Sequence, residues 1–299
     1  MIRVNNVTKH YDEFKALDNL TLHVRKGTIY GLVGANGAGK TTIINHINGV
    51  LHGESGEVLI DGENIYENEK IKRRVLSIAD DWFYYAAYTV KQMAKFYEDI
   101  YPSFNRERYE KIKEVFSIDE KRQIRKLSKG MKKQVAFWLA LSSMPDVLIL
   151  DEPLDGLDPV MRKQVLSLVI QDVAEREMTV LVSSHNLREL EDICDWVGII
   201  HKGKLIAEKP LDDIKGNVHK YQMLIDDETA EELRKTEDIL HISKTGVIYS
   251  IIVRGDMEET YKKMQAVSPK LCERLSLTLE EVFIYELGGL GYDYKNILI

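Results

Sequence analysis

The sequence predicts an α/β fold with a parallel β-sheet, and two observations support this class. First, the apolar or β-branched runs "VLIL" (147–150) and "TVLVSS" (179–184) are separated by a segment of helical pattern. Such runs are typical of strands buried on both faces of a parallel sheet. Second, the glycine stretch "GLVGANGAGKTT" (31–42) joins an apolar run to a helical pattern. The order strand, loop and helix is what an α/β core requires.

A β-rich lobe is expected near the N-terminus. The segments "IRVNNVTKHY", "LTLHV" and "TIYGLVG" have the composition of short strands. The segment "GEVLIDGENI" predicts a hairpin with Asp61 and Gly62 at its turn. We therefore assign these four segments to one β-rich lobe.

Residues 80–145 differ in pattern from the segments before them, because three helical patterns follow one another without a comparable β run. They are "VKQMAKFYEDIY", "RERYEKIKEVF" and "MKKQVAFWLALSS", and they predict a helical subdomain. The segment "KGNV", which begins at Lys215, marks a boundary. Residues 1–214 are thus predicted to form one domain and residues 215–299 a small α+β domain, with strand candidates "YQMLI" and "GVIYSIIV" and helix candidate "EETYKKMQAV".

Composition and charge limit the classes of function. The chain has 299 residues, of which 44% are hydrophobic and 30% charged, and its formal net charge is −7. This balance provides no basic surface for nucleic acid, and no apolar run approaches the ~18 residues of a membrane span. The first residues lack the pattern of a secretory signal, so a cytoplasmic location is expected. Cys194 and Cys272 are far apart in sequence, which favours buried thiols over a zinc site or a disulfide.

Residues 34–41 carry the strongest chemical signal. They match the phosphate-loop pattern G-x-x-x-x-G-K-[ST] in its strand–loop–helix context. Glycines let backbone N–H groups turn towards phosphate oxygens, and the N-terminus of the following helix favours an anion. Lys40 is expected to bridge the β- and γ-phosphates of a nucleotide, and the Thr41 hydroxyl to contact Mg²⁺. A glycine-rich turn without a ligand is the alternative.

Two carboxylates follow the buried run at 147–150. Asp151 lies at the predicted C-terminal end of a strand, where it would hold Mg²⁺ through water. Glu152 is the next residue and would orient or deprotonate the attacking water. Adjacent carboxylates can also be a solvated strand end, but the phosphate loop in the same chain favours nucleotide hydrolysis.

Three further motifs complete an ordered series. "LSKGMKKQ" (127–134) precedes "LILDEP", "GLDP" (156–159) follows it, and "SSH" (183–185) comes last. Together with the phosphate loop, they resemble the ATP-binding cassette (ABC) family over residues 2 to about 214. The resemblance implies a P-loop NTPase cassette with a RecA-like core, an N-terminal antiparallel β lobe and a helical subdomain. It also implies ATP and Mg²⁺ as ligands.

The resemblance assigns roles to individual residues. In this family a signature motif, which "LSKGMKKQ" resembles, caps the γ-phosphate that is bound by the phosphate loop of another subunit. Two cassettes thus close around two ATP molecules. Ser128 and Gly130 are the implied capping residues, His185 the switch histidine at the γ-phosphate, and Asp158 the link between the two sites. Tyr11 lies where the family places an aromatic ring against adenine. The contacts implied around the phosphates are Gly34, Asn36, Gly37, Ala38, Gly39, Lys40, Thr41 and Thr42.

The sequence departs from the family pattern at three positions. Lys129 replaces the first glycine of the signature, and Met131 replaces its glutamine. Asp80 stands where the family generally has a glutamine that contacts Mg²⁺, although an alignment shifted by one residue would put Asp81 there. A carboxylate still offers an oxygen ligand to Mg²⁺, but it adds negative charge near the γ-phosphate and would tune hydrolysis or coupling.

An aromatic cluster follows these aspartates: Trp82, Phe83, Tyr84, Tyr85 and Tyr88. The cluster lies where the family receives the coupling helix of its transmembrane partner, and aromatic side chains are common anchors at interfaces. The same side chains would also suit the core of the helical subdomain. Both interpretations stay open at this level.

The resemblance implies an ATPase subunit of an ABC transporter. Because the sequence predicts no span, a separate transmembrane permease subunit would carry the transport pathway and hold this chain at the cytoplasmic face of the cell membrane. The single cassette and the C-terminal extension resemble ATPase subunits of bacterial exporters. The cassettes would pair as a homodimer or a heterodimer, and no nucleic acid is expected as a partner. The alternatives are a cassette ATPase that acts on ribosomes or DNA, and a regulatory module that binds ATP but hardly hydrolyses it.

Overall fold

The computed structural model describes residues 1–288; residues 289–299, the end of the predicted domain 215–299, lie outside the described residues. The chain divides into two compact units. Unit 1 comprises Met1–His185 and Ile193–Glu208, and unit 2 comprises Asn186–Asp192 and the chain from Lys209 onward. None of the helices in the described part of the chain is long and apolar enough to cross a membrane.

The elements up to residue 210 belong to unit 1, except for one short helix of unit 2 and the end of the last strand. In chain order they are β1 (Ile2–Tyr11), β2 (Phe14–Val24), β3 (Ile29–Val33), α1 (Lys40–Ile47), β4 (Ser55–Ile60), β5 (Glu63–Asn64), α2 (Glu69–Lys72), β6 (Val75–Ile78), α3 (Val90–Ile100), α4 (Arg106–Phe116), α5 (Lys129–Ser142), β7 (Val147–Asp151), α6 (Pro159–Arg176), β8 (Thr179–Ser184), α7 (Leu187–Leu190, in unit 2), β9 (Trp196–His201) and β10 (Lys204–Pro210). A 3-10 helix spans Ile124–Lys126.

A four-stranded antiparallel sheet forms the N-terminal lobe, with strand order β2-β1-β4-β5. The predicted hairpin is present, because Ile60 pairs with Glu63 across the two-residue turn. Asp61 (φ 51°) and Gly62 (φ 82°) both lie in the left-handed region, which a type I′ turn requires and which glycine adopts without strain.

A six-stranded sheet with the order β10-β9-β3-β8-β7-β6 forms the core of unit 1. Its strands from β9 to β6 are all parallel to their neighbours. The assignment of "TIYGLVG" to the N-terminal lobe was wrong, because β3 lies between β8 and β9 in this central sheet. All five residues of β3 are buried, as expected of a strand covered on both faces. The α/β class is confirmed.

Three helices, α3, α4 and α5, separate β6 from β7 and form the predicted helical segment. A capping box begins α3: the Thr89 hydroxyl accepts from Gln92 N, and the Gln92 side chain accepts from Thr89 N. The buried Trp138 of α5 stacks on Tyr109 of α4 with ring centroids 4.6 Å apart. Its indole N–H donates to Tyr109 O at 2.7 Å, so the ring is both packed and hydrogen-bonded.

A buried carboxylate joins α4 to α6. Asp172 is fully buried and forms ion pairs with Arg108 and, at 3.0 Å, with Arg176. We expect Asp172→Ala to lower the free energy of unfolding by about 3 kcal/mol, because it leaves two largely buried guanidinium groups without their counter-charge. Urea unfolding followed by circular dichroism measures the change. The exposed neighbour Gln171 is the control, and Gln171→Ala should change the free energy of unfolding by less than about 0.5 kcal/mol. Equal effects of the two substitutions would contradict a stabilising role of the Asp172 ion pairs.

Unit 2 contains a second antiparallel sheet. Besides α7, its elements are α8 (Leu211–Gly216), β11 (Val218–Leu224), α9 (Asp227–Arg234), β12 (Ile239–Thr245), β13 (Ile248–Arg254), α10 (Met257–Ala266), β14 (Leu271–Leu275) and α11 (Leu279–Gly288). The strand order β12-β13-β11-β14 and the sequence β-α-β-β-α-β match the ferredoxin-like arrangement. Its core includes Tyr221, Met223, Leu233, Ile251 and Met264. The predicted α+β class of this region is confirmed.

Candidate functional site

The phosphate loop connects β3 to α1, and its glycines allow a close approach of neighbouring backbone. A Cβ at Gly34 would lie 2.4 Å from Ile200 O, and Gly39 has φ 111°, which L side chains rarely adopt. Lys40, the first residue of α1, is buried, and its Nζ donates to Gly34 O at 2.6 Å. The lysine therefore folds back over the loop, and its ammonium lies at the start of the helix.

Three oxygen-bearing side chains meet next to this loop. Thr41 Oγ1 donates to Asp151 Oδ2 at 3.1 Å, and Ser183 Oγ, at the end of β8, donates to Asp151 Oδ1. Asp151 is the last residue of β7 and is buried. Within residues 1–288, no group of three or more His, Cys, Asp or Glu side chains could hold a metal ion by itself. The donors here suit an ion that takes one or two protein oxygens and completes its shell with phosphate and water, as Mg²⁺ does.

The Glu152 side chain lies between two candidate catalytic groups. Its Oε1 is 3.4 Å from Lys40 Nζ, and its Oε2 is 3.0 Å from His185 Nδ1. The carboxylate is largely buried, whereas His185 is half exposed. Glu152 has φ 46°, in the left-handed region, and its N–H donates to Ser183 Oγ at 3.2 Å. A carboxylate in this position can accept a proton from a water molecule, and the imidazole beside it is open to solvent.

A cavity of about 280 Å³ is lined by most of the site residues described above. It is lined by Tyr11, Phe14, Ala16, Ala35, Asn36, Gly37, Gly39, Lys40, Thr41, Thr42, Asp80, Asp151 and Glu152. Phe14 was missed by the sequence reasoning. It pairs with Tyr11 across the β1–β2 turn, and both rings are exposed. The spacing of a tight hairpin was the signal that could have identified Phe14 as a second aromatic residue at this edge.

The signature and the loop at Asp158 do not line this cavity. The Ser128 hydroxyl is exposed and accepts from Met131 N at 3.2 Å, so it caps α5. A Cβ at Gly130 would lie 2.7 Å from Gly156 O, which explains a glycine there. Asp158 caps α6 by accepting from Val160 N and Met161 N. Gly34 and Ala38 belong to the loop without lining the cavity.

Asp80 lines the cavity and is half exposed. Its Oδ1 is 3.4 Å from Lys133 Nζ and 3.8 Å from Lys129 Nζ. Burial lowers the pKa of Lys133, and the negative charge of Asp80 partly opposes this shift. Asp81, the alternative of the shifted alignment, is exposed and is not among the residues that line the cavity.

The aromatic cluster divides between core and surface. Trp82 is buried, and its indole donates to Tyr97 Oη at 3.1 Å. Burial raises the pKa of Tyr97 to about 12, although this hydrogen bond opposes the shift. Phe83 (67% exposed) and Tyr85 (39% exposed) pack edge to face, with ring centroids 5.2 Å apart. One aromatic residue therefore supports the subdomain core, and an exposed aromatic pair lies beside it.

Fold and site together define a P-loop nucleotide-binding protein, and comparisons with known proteins give its family. A family model described as ABC transporter matches residues 17–155. The ABC transporter ATP-binding protein YtrB of Bacillus subtilis (strain 168) is 33% identical over 289 residues, which cover 97% of this chain and 99% of that protein. The bacitracin transport ATP-binding protein BcrA of Bacillus licheniformis is 38% identical over 224 residues, 74% of this chain and 73% of that protein.

Solved structures agree with this result. The structure of an ATP-binding subunit of an ABC transporter aligns with a TM-score of 0.68 and 25% identity, covering 89% of this chain and 99% of that one. A dimeric ATP-binding cassette with ADP and phosphate bound has the same fold, with a TM-score of 0.64, 22% identity, and coverage of 71% of this chain and 99% of that one. The chain belongs to the ABC transporter ATP-binding proteins, and it is an ATP-binding and ATP-hydrolysing subunit of such a transporter.

Proposed function

We propose that this chain hydrolyses MgATP in the cavity beneath Gly34–Thr42 and thereby drives an exporter. The observation that carries the proposal is the position of Glu152, whose two carboxylate oxygens contact Lys40 and His185. A general base must lie within reach of the water that it activates, and the Lys40 ammonium on one side and the His185 imidazole on the other orient this carboxylate. Glu152 would take the proton from the attacking water, Lys40 would bind the β- and γ-phosphates, and His185 would contact the γ-phosphate.

Mg²⁺ fits the oxygen donors at the floor of the cavity. Thr41 Oγ1 and Asp151 Oδ2 are already hydrogen-bonded to each other, so both oxygens point to one place. Asp80 lines the same cavity and adds a third oxygen donor. When bound, Mg²⁺ supplies positive charge that stabilises the transferring phosphoryl group. Tyr11, with Phe14 beside it, offers an aromatic face to the adenine.

Two cassettes would complete one another's sites. Ser128 is exposed and does not line its own cavity, although it stands at the N-terminus of a 14-residue helix that favours an anion. Contact of Ser128 and Gly130 with the γ-phosphate held by a second cassette accounts for this arrangement. Asp158 would then lie between the two sites. Both homodimeric and heterodimeric pairs satisfy this geometry.

Export across a membrane requires a separate permease subunit. Relatives of this chain include bacitracin and lantibiotic transport ATP-binding proteins, which supports export of a peptide or drug-like compound. Phe83 and Tyr85 form an exposed aromatic pair that suits the contact with the permease at the cytoplasmic face of the membrane. Unit 2, to which residues 215–299 belong, would act as an accessory domain.

Isolation of this chain from native membranes tests whether it binds a separate permease subunit. In mild detergent, the wild-type chain is expected to bring down a polytopic membrane protein in stoichiometric amount, identified by mass spectrometry. The double substitution Phe83→Ala and Tyr85→Ala should reduce recovery roughly tenfold, because central aromatic anchors each contribute about 1 kcal/mol or more. Tyr66, exposed to a similar degree at 41%, provides the control Tyr66→Ala. If repeated wild-type preparations contained only soluble partners, the proposal that this chain drives an exporter would be refuted.

A further inference from the structure

A buried lysine of α5 contacts the Glu152 backbone from outside the cavity. Lys133 is 3% exposed, and its Nζ donates to Glu152 O at 2.9 Å and to Asp80 Oδ1 at 3.4 Å. Lys133 is not among the residues that line the cavity, whereas both of its partners are. The ammonium therefore joins two walls of the site without access to the nucleotide.

The backbone of Glu152 needs such support. Its φ of 46° lies in the left-handed region, which non-glycine residues rarely adopt unless their surroundings hold them there. On one side, its N–H donates to Ser183 Oγ at 3.2 Å and to Ser183 O at 3.3 Å. On the other side, its carbonyl accepts from Lys133. Residue 152 is thus held from β8 and from α5, and its side chain emerges between Lys40 and His185.

Asp80 supplies the charge that lets Lys133 be buried. An ammonium group taken out of water is stable only when it is paired and hydrogen-bonded. Asp80 provides the negative charge, and Lys129, 3.8 Å from the same Oδ1, keeps the remainder of this carboxylate in a positive environment. A neutral side chain at position 80 would remove the charged hydrogen-bond partner of the Lys133 ammonium and leave the Glu152 carbonyl as its acceptor, with the charge of Asp155 acting on it as well.

We propose that Lys133 is a positioning residue for ATP hydrolysis. Paired with Asp80, it holds the Glu152 backbone in the conformation that directs the carboxylate between Lys40 and His185. This inference rests on the proposed role of Glu152 in activating water. Lys133 acts through Glu152 and contacts neither phosphate nor base.

Steady-state ATPase measurements on the full chain test the inference. Lys133→Met is expected to lower kcat roughly 10- to 100-fold, since a small misplacement of a catalytic group has effects of this size. KM for ATP should change less than about twofold, because Lys133 lies outside the cavity. Lys133→Arg, which retains charge and donors, should recover most of kcat. If poor folding alone lowered kcat, the decrease in kcat would instead correlate with the decrease in unfolding temperature of each variant.

Three comparisons make the result decisive. Lys132→Met is the matched control on the same helix, because the Lys132 ammonium contacts the ring of Tyr84 and not Glu152, and its kcat should equal that of the wild type. If Lys133→Met does not fold, Lys133→Gln tests the same expectation, namely a lower kcat with a nearly unchanged KM for ATP. Wild-type kcat in the Lys133 variants, with an inactive Glu152→Gln enzyme, would overturn the positioning role alone. An active Glu152→Gln enzyme would overturn the proposed function itself.

Discussion

Replacing Glu152 with glutamine is expected to lower kcat for ATP hydrolysis by roughly 10³-fold, within the range that a general base contributes. Glutamine keeps the size of the side chain and an oxygen that can accept from Lys40, but it cannot take a proton from water. ATP binding should therefore persist, and the cassette pair should accumulate in its closed, ATP-bound state. Phosphate release measures turnover, and size-exclusion chromatography with and without ATP measures the dimer.

The control for this substitution is Glu175→Gln on the exposed face of α6, which removes the same charge far from the nucleotide. Its turnover should match that of the wild type. Equal turnover by Glu152→Gln and the wild type would exclude Glu152 from the mechanism. A Glu152→Gln chain that neither turns over nor dimerises with ATP would instead contradict the proposed pairing of cassettes.

Replacing Lys40 with methionine is expected to raise the Kd for ATP by about 10- to 100-fold, because each hydrogen bond to a charged group contributes roughly 1.5–3 kcal/mol. Methionine retains the length and apolar stem of the lysine but loses the ammonium that lies within reach of Gly34 O and Glu152. Hydrolysis should fall as well, since this charge also stabilises the transferring phosphoryl group. Titration with a fluorescent ATP analogue, together with phosphate release, separates the two effects.

Lys72 offers a close control for this change. Its Nζ also donates to a backbone carbonyl, Gly49 O, at 2.9 Å, but it does not line the cavity. Lys72→Met should therefore leave the Kd for ATP unchanged while removing a lysine–carbonyl bond of the same kind. If both substitutions weakened ATP binding equally, the effect of Lys40 would be structural and the phosphate contact would be refuted.

The two substitutions also separate binding from chemistry. Glu152→Gln removes the proton acceptor and should leave ATP bound, whereas Lys40→Met should leave little ATP bound at concentrations near the wild-type Kd. In the double variant, the ATP-dependent dimer expected for Glu152→Gln should disappear. A dimer that persisted in the double variant would show that closure does not require phosphate bound by Lys40.

Features that arise from neighbouring residues could be predicted from the sequence. The phosphate loop needs glycine conformations and a helix start within eight positions, and α4 begins and ends where its helical pattern does, at Arg106–Phe116. The Asp61–Gly62 turn follows from two residues that accept positive φ. In each of these cases the local backbone preference and the final structure agree, so the pattern was sufficient.

Contacts between distant residues could not be predicted from the sequence and became known from the folded structure. Thr41 and Asp151 are 110 positions apart, Asp80 and Lys133 53, and Glu152 and Lys133 19. Strand β6 and the ferredoxin-like order of unit 2 were likewise beyond the sequence patterns, and β3 was assigned to the wrong sheet. Sheet order and helix placement come from burying apolar faces against one another, which depends on the whole chain. For this reason the sequence indicated Glu152 as a candidate general base, whereas its hydrogen bond with Lys133 became visible only in the folded protein.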